Sequence, residues 1–322
     1  MGEPGNGQPI LGAEARARVP VDALPSRQEE TTIQVLKWGV RFAAVALAYL
    51  VCLTIAYGLF LPAAPPATGR EPVPQGAALL VMAVLDTAVV GWLVLRARPR
   101  GWRLVAVATF AVFAVQTLMP QVESLIFQAY PRFAGHLPVE VVPRLIAAGL
   151  LHACLWVPLA VGILGRWRGA SVPEPSAGRL LPADWGWKLP LAALGYVAVY
   201  FTFGYYVAWR SPAVPAYYGG TDPGSFAASL AAVLRDTPWL PVVQAVRGLA
   251  WALLARVVVR TLQPSTLEGA LLVGVLFAVV MNAALFLPNP YMPFEVRMAH
   301  LVETASSNFL FGAWVGWLLR SP

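Results

Sequence analysis

The chain reads as an all-α polytopic integral membrane protein, a bundle of about eight transmembrane helices with both termini cytoplasmic. Three observations predict this. Of 322 residues, 58% are hydrophobic and 12% charged, with a mean hydropathy of +0.64; soluble domains carry about a quarter charged residues. Apolar runs recur at 38–61, 77–97, 102–122, 144–165, 187–209, 240–260, 266–287 and 300–319, each close to the roughly 20 residues that cross a bilayer as a helix. Finally, the basic residues fall in the short segments between runs, where they orient membrane proteins.

The N-terminal segment, 1–35, is rich in Gly, Pro, Glu and Arg with no sustained apolar period. It is expected to be a disordered cytoplasmic tail, followed by a single transmembrane domain over 36–322. The first run starts near Lys37 and is too long for the apolar core of a signal peptide, so no cleaved leader is expected. LPAAPPATG, which follows it, resembles a small-residue cleavage site only superficially.

Orientation follows from the lysines and arginines. One side collects Arg16, Arg18, Arg27, Lys37, Arg41, Arg96, Arg98, Arg100, Arg103, Arg166, Arg168, Arg179, Lys188, Arg256, Arg260 and Arg320. The other collects Arg70, Arg132, Arg144, Arg210, Arg235 and Arg297. That asymmetry places both termini in the cytoplasm of a multi-pass protein of the plasma (cytoplasmic) membrane. The net charge of +7 and pI near 9.7 do not imply nucleic acid, because the basic residues form no face.

The extracytoplasmic 210–239 segment contains Asp222-Pro223, a helix N-cap followed by a first-turn proline. Phe226, Leu230, Val233 and Leu234 then repeat at helical spacing, as in a short amphipathic helix on the membrane surface. PNPYMP at 288–293 predicts an extended approach to the last helix. Gln116, Pro120 and His152 appear in the same order as Asn282, Pro288 and His300, but residue identity is too thin to carry a four-plus-four duplication.

Polar residues inside the runs carry the functional expectations, since ionisable groups in a bilayer are costly. Gln116 and Glu123 lie seven apart with Thr109 seven before, one face of an unbroken helix. His152, Gln244, Arg247, Asn282, His300, Glu303 and Ser307 fall at matching depth toward the outer leaflet. This predicts an outward-opening polar pocket, built on five helices, for a small anionic or lipid-like ligand. Arg247 would hold the anionic group, while Gln116, Gln244, Asn282 and Asn308 orient it. Arg247 needs a carboxylate partner, and Glu123 and Glu303 are the candidates.

Other classes stay open. His300 and Glu303 form an HxxE pair pointing one way; with Glu123 they are candidate catalytic groups of an intramembrane enzyme. With His152 added, Glu123, His300 and Glu303 would offer a zinc or iron ligand set. Asp86, midway along the second run and apart from the outer cluster, suits a secondary transporter. A structural subunit would use Gly312 and Gly316, a GxxxG face that admits a close helix partner. Aromatics at Tyr196, Tyr200, Phe201, Phe203, Tyr205 and Tyr206 suit packing or a pocket for an acyl chain. Cys52 and Cys154 lie inside runs and form no CxxC motif. HExxH, GxSxG, the phosphate loop and the dinucleotide fingerprint are absent, and Glu29-Glu30 lies outside any run. The sequence names no cofactor.

Overall fold

The structure is a computed structural model that describes residue 2 and residues 27–61, 71–128, 136–169, 185–220, 224–263 and 266–319. Most of the proposed tail, the LPAAPPATG segment beyond Leu61, Asp222-Pro223, Arg70, Arg132, Arg179 and Arg320 lie outside the described residues. The chain divides into two units, Met1–Val40 and Arg41–Pro322.

Each apolar run coincides with a helix: α1 Arg27–Phe60, α2 Gln75–Arg96, α3 Gly101–Gln128, α4 Val141–Ile163 and α5 Trp185–Tyr206. Two short helices follow, α6 Ala213–Tyr218 and α7 Phe226–Asp236, then α8 Leu240–Thr261, α9 Thr266–Val275 with its continuation to Phe286, and α10 Phe294–Leu318. The protein is a helical membrane protein: among the described residues there is no strand, and seven helices are long and apolar enough to cross a bilayer. α10 has the length, 25 residues, but Glu303, Ser306, Ser307 and Asn308 make it less apolar than the others.

Helix begins at Arg27, so residues 27–35 are not part of an irregular tail. The reason is local: Glu29 and Glu30 sit in the first turn, where the helix dipole favours negative charge, and Gln, Glu and Lys are good helix formers. Thr31 and Thr32 bond back to the carbonyls of Arg27 and Gln28. The amphipathic helix appears as α7, capped by Ser225, whose hydroxyl accepts from the Ala228 N–H at 3.2 Å.

Two π-turns interrupt otherwise regular helices, Ala114–Leu118 in α3 and Leu276–Val280 after α9. In α3 the cause lies at Pro120, which has no N–H and whose ring would strike the carbonyl four residues back. The π-turn relieves that clash, with the Met119 N–H reaching the Ala114 carbonyl. The two π-turns pack on one another, and α2 packs on the second.

Small residues set the closest approaches. A Cβ on Gly312 would lie 3.0 Å from the Gly274 Cα and the Val273 carbonyl, and one on Gly316 would lie 3.1 Å from the Ala270 Cα. The GxxxG face of α10 is therefore filled by α9 of the same chain, which leaves no room there for a helix of a second chain. Gly248 lets α8 approach Tyr196 of α5 in the same way.

At one end of the bundle the arginine-rich connections meet. The Arg98 N–H bonds the Thr261 carbonyl at 2.7 Å and the Gln263 N–H bonds the Arg96 carbonyl at 3.0 Å. Arg166 reaches the Ala97 carbonyl, and Glu268 accepts from Arg96 and from Trp92. At the opposite end, the Asn289 side chain accepts from the N–H groups of Tyr291 and Met292, a turn that fixes PNPYMP.

Candidate functional site

The residues expected in one pocket fall into two clusters, both built on α3. The first, called the outer cluster after the leaflet that the sequence predicts for it, centres on Arg247, buried in α8. Its guanidinium grips Glu123 of α3 in bidentate fashion, with Nη1–Oε1 and Nη2–Oε2 both at 2.6 Å, and Nη1 also donates to Gln244 Oε1 at 2.7 Å. The Arg247 side chain is 5% exposed and that of Glu123 23%, so the pair is reached from the carboxylate side. Tyr196 of α5 covers the guanidinium, its ring centroid 5.6 Å away.

Beside this pair, His300 Nδ1 lies 2.9 Å from Glu303 Oε2 one turn further along α10. With an ionised carboxylate as partner Nδ1 donates, and in the neutral imidazole Nε2 is then the acceptor. The Tyr218 hydroxyl stands 3.2 Å from Nε2. Tyr218, His300 and Glu303 thus form a directed hydroxyl–imidazole–carboxylate chain. The His136 ring lies against Tyr217 and Tyr218, with centroids 4.3 and 5.6 Å apart.

Tyr218 belongs to α6, between the fifth and sixth spans. Burial, Tyr217, and the negative charge of Glu303 and Glu123 raise its phenol above the ordinary value of 10.0. The dependence on both glutamates ties the His300 chain electrostatically to the Arg247 pair. The fold favours the protonated phenol, so the stability Tyr218 contributes is complete below about pH 10 and is lost as pH rises through its own higher value. Tyr218→Phe is therefore expected to lose less stability than the wild type between about pH 10 and pH 12, measured by thermal unfolding across that range. Identical alkaline profiles would disprove the assignment.

The inner cluster was not expected. Gln116 does not join Arg247: its Nε2 donates to Asp86 Oδ2 at 2.7 Å and lies 3.0 Å from the Tyr49 hydroxyl, which itself donates to Asp86 Oδ2 at 2.7 Å. Asp86 is thus not isolated. The seven-residue spacing of Gln116 and Glu123 misleads because the π-turn adds a residue to the turn and rotates one against the other. Thr109, the third member of that supposed face, lines an apolar groove between α3 and α4 with Phe113 and Cys154.

His152 also stands on the inner side, its ring edge-on to Tyr49 at 4.6 Å and parallel to Trp156 at 5.7 Å. Among the described residues no three of His, Cys, Asp and Glu come together as a metal set, so His152, Glu123, His300 and Glu303 do not make one. Asn282 is spent on the Ala278 carbonyl and the Thr304 hydroxyl, and Asn308 on the Met281 sulfur. Neither asparagine bonds to the Arg247 cluster.

Sequence reasoning missed Tyr49, Tyr218 and one further ion pair. Arg297, counted above as a connecting charge, has a fully buried side chain and grips Glu71 at 2.9 and 2.5 Å. None of these carried a clear signal, since a tyrosine at mid-helix among small apolar residues, as at Tyr49, reads as packing. Comparison with protein families, with characterised proteins and with solved structures finds no match. What the geometry defines is a helical membrane protein with buried ion pairs and an ordered tyrosine–histidine–glutamate chain.

Proposed function

We propose that the outer cluster binds and handles a small anionic or lipid-like ligand. One observation carries this reading: two buried donors, Arg247 Nε and Gln244 Nε2, have no acceptor among the described residues. Buried donors without acceptors are costly, and an anionic headgroup offers the oxygens they lack. Glu123, the more exposed partner, holds the guanidinium's Nη1 and Nη2 edge and yields that edge to the ligand. The frame for this reading is a plasma-membrane protein of eight spans, α10 included, with both termini cytoplasmic and the cluster toward the outer leaflet.

The Tyr218–His300–Glu303 chain favours a second reading, acid–base catalysis on the bound molecule. His300 would exchange the proton, Glu303 would hold its tautomer, and Glu123 would supply a further carboxylate. One experiment addresses both readings. The purified chain in zwitterionic nanodiscs is mixed with short-chain phosphatidic acid or phosphatidylcholine, binding is read by thermal stabilisation, and the lipid is then recovered and analysed. Stabilisation by phosphatidic acid that weakens about tenfold in Gln244→Leu supports the binding site. Recovery of cleaved lipid adds the enzyme reading, and intact lipid removes it for this probe. Equal response to the two lipids, or none, rejects the anion site.

A further inference from the structure

The inner cluster presents the opposite chemistry to the outer one. Asp86 has no exposed surface. Both of its hydrogen bonds, from Tyr49 and Gln116, arrive at Oδ2, and Oδ1 has no partner among the described residues. The hydroxyl of the adjacent Thr87 also has no partner among the described residues, and fully buried His152 stands beside Tyr49. A neutral imidazole keeps one nitrogen as an acceptor. The unmet groups around Arg247 are donors; here they are chiefly acceptors.

Charge points the same way. The donors to Asp86, a phenol and a carboxamide, are neutral, and no described arginine or lysine pairs with it. Tyr49 and Tyr57 face it from α1, and His152 borders it through Tyr49 from α4. Residues 276–286, which pack on α2 from the far side, hold no titratable group. An uncompensated carboxylate at such a place costs several kcal/mol, so its counter-charge comes from outside the chain. We propose that Asp86, with Tyr49, Gln116 and His152, forms a buried site for one monovalent cation, a proton or an alkali ion, bound at Asp86 Oδ1. The site lies about two turns along α3 from Glu123, roughly 10 Å away, and does not depend on the ligand reading of the outer cluster.

The test uses the full chain in zwitterionic nanodiscs and infrared difference spectroscopy of the carboxyl region. In one arm the pH is stepped at constant sodium; in the other, sodium or lithium is added at constant pH. A carboxyl signal that follows pH and is lost in Asp86→Asn identifies the proton. A carboxylate shift that saturates with the alkali ion, and is lost in the same variant, identifies the metal ion. Identical difference spectra from wild type and Asp86→Asn in both arms overturn the proposal. Should Asp86→Asn not fold, Gln116→Leu keeps the carboxyl and removes one donor. It is expected to move the midpoint by about one pH unit, or the ion affinity about tenfold, and an unmoved midpoint overturns the proposal as well.

Discussion

Glu123→Ala is expected to destabilise the protein by about 3 to 5 kcal/mol, because it strands the Arg247 guanidinium in the bundle. Arginine does not give up its proton, so the charge persists whatever the pH. With Glu123 removed, the Gln244 carbonyl at 2.7 Å is the side-chain acceptor that remains to it. Glu123→Gln keeps an acceptor but not the charge, and is expected to fall between alanine and wild type. The double replacement Glu123→Leu with Arg247→Met removes both charges together and is expected to restore most of the loss, as paired removal of buried charges does. Reversible unfolding in mixed detergent micelles, run on the wild type, Glu123→Leu, Arg247→Met and the double, gives the coupling energy directly. A Glu123→Ala protein within about 0.5 kcal/mol of wild type would mean that Arg247 reaches water and that the pair is incidental.

The double variant also separates stability from ligand handling. If the pair serves only to lock α3 to α8, the double variant retains every other property of the chain. If Arg247 holds an anion, the double variant folds yet gains no stability from phosphatidic acid. A fold-restoring pair that abolishes binding is an outcome that a purely structural bridge does not give.

How much of this was legible in the sequence depends on the range of the interaction. Apolar runs located the helices because bilayer thickness fixes the length of a crossing segment. The His300–Glu303 bond was legible because a three-residue spacing on one helix needs no knowledge of the neighbours. The Arg247–Glu123 pair was legible as a necessity, since a buried guanidinium needs a carboxylate and few lay at its depth. The partition of the polar residues was not. It turns on the π-turn at 114–118, which sends Gln116 to Asp86 and Glu123 to Arg247; Pro120 signals a disturbance but not its form. Tyr49 and Tyr218 were hidden for another reason: a tyrosine inside a greasy helix or a short connection reads as packing until its hydroxyl is seen at 2.7 Å from Asp86 or 3.2 Å from His300.

Arg297 shows the same limit with the larger structural consequence. A count of basic residues treats it as a connecting charge, yet its side chain has no exposure, and that of Glu71 has 15%. Besides the bidentate grip on Glu71, Nη1 donates to the Met292 carbonyl at 2.8 Å and Nε to the Leu285 carbonyl at 3.2 Å. One guanidinium thus ties the approach to α2, the end of the 283–286 turn, the PNPYMP segment and the first turn of α10. Arg297→Met is expected to cost about 3 to 5 kcal/mol, since it leaves a half-buried carboxylate and two carbonyls unpaired. Arg297→Lys keeps the charge but offers a point donor in place of a planar fork, so its stability is expected to lie between the two. Amide hydrogen exchange across 283–300 should show the same order, with protection lost first where Leu285, Met292 and the start of α10 meet. His300 sits one turn beyond Arg297, so this opening would loosen the Tyr218–His300 contact before the bundle itself unfolds. If Arg297→Lys matches the wild type in both stability and exchange, positive charge alone suffices there and the four-way clamp is not what holds that end of the bundle.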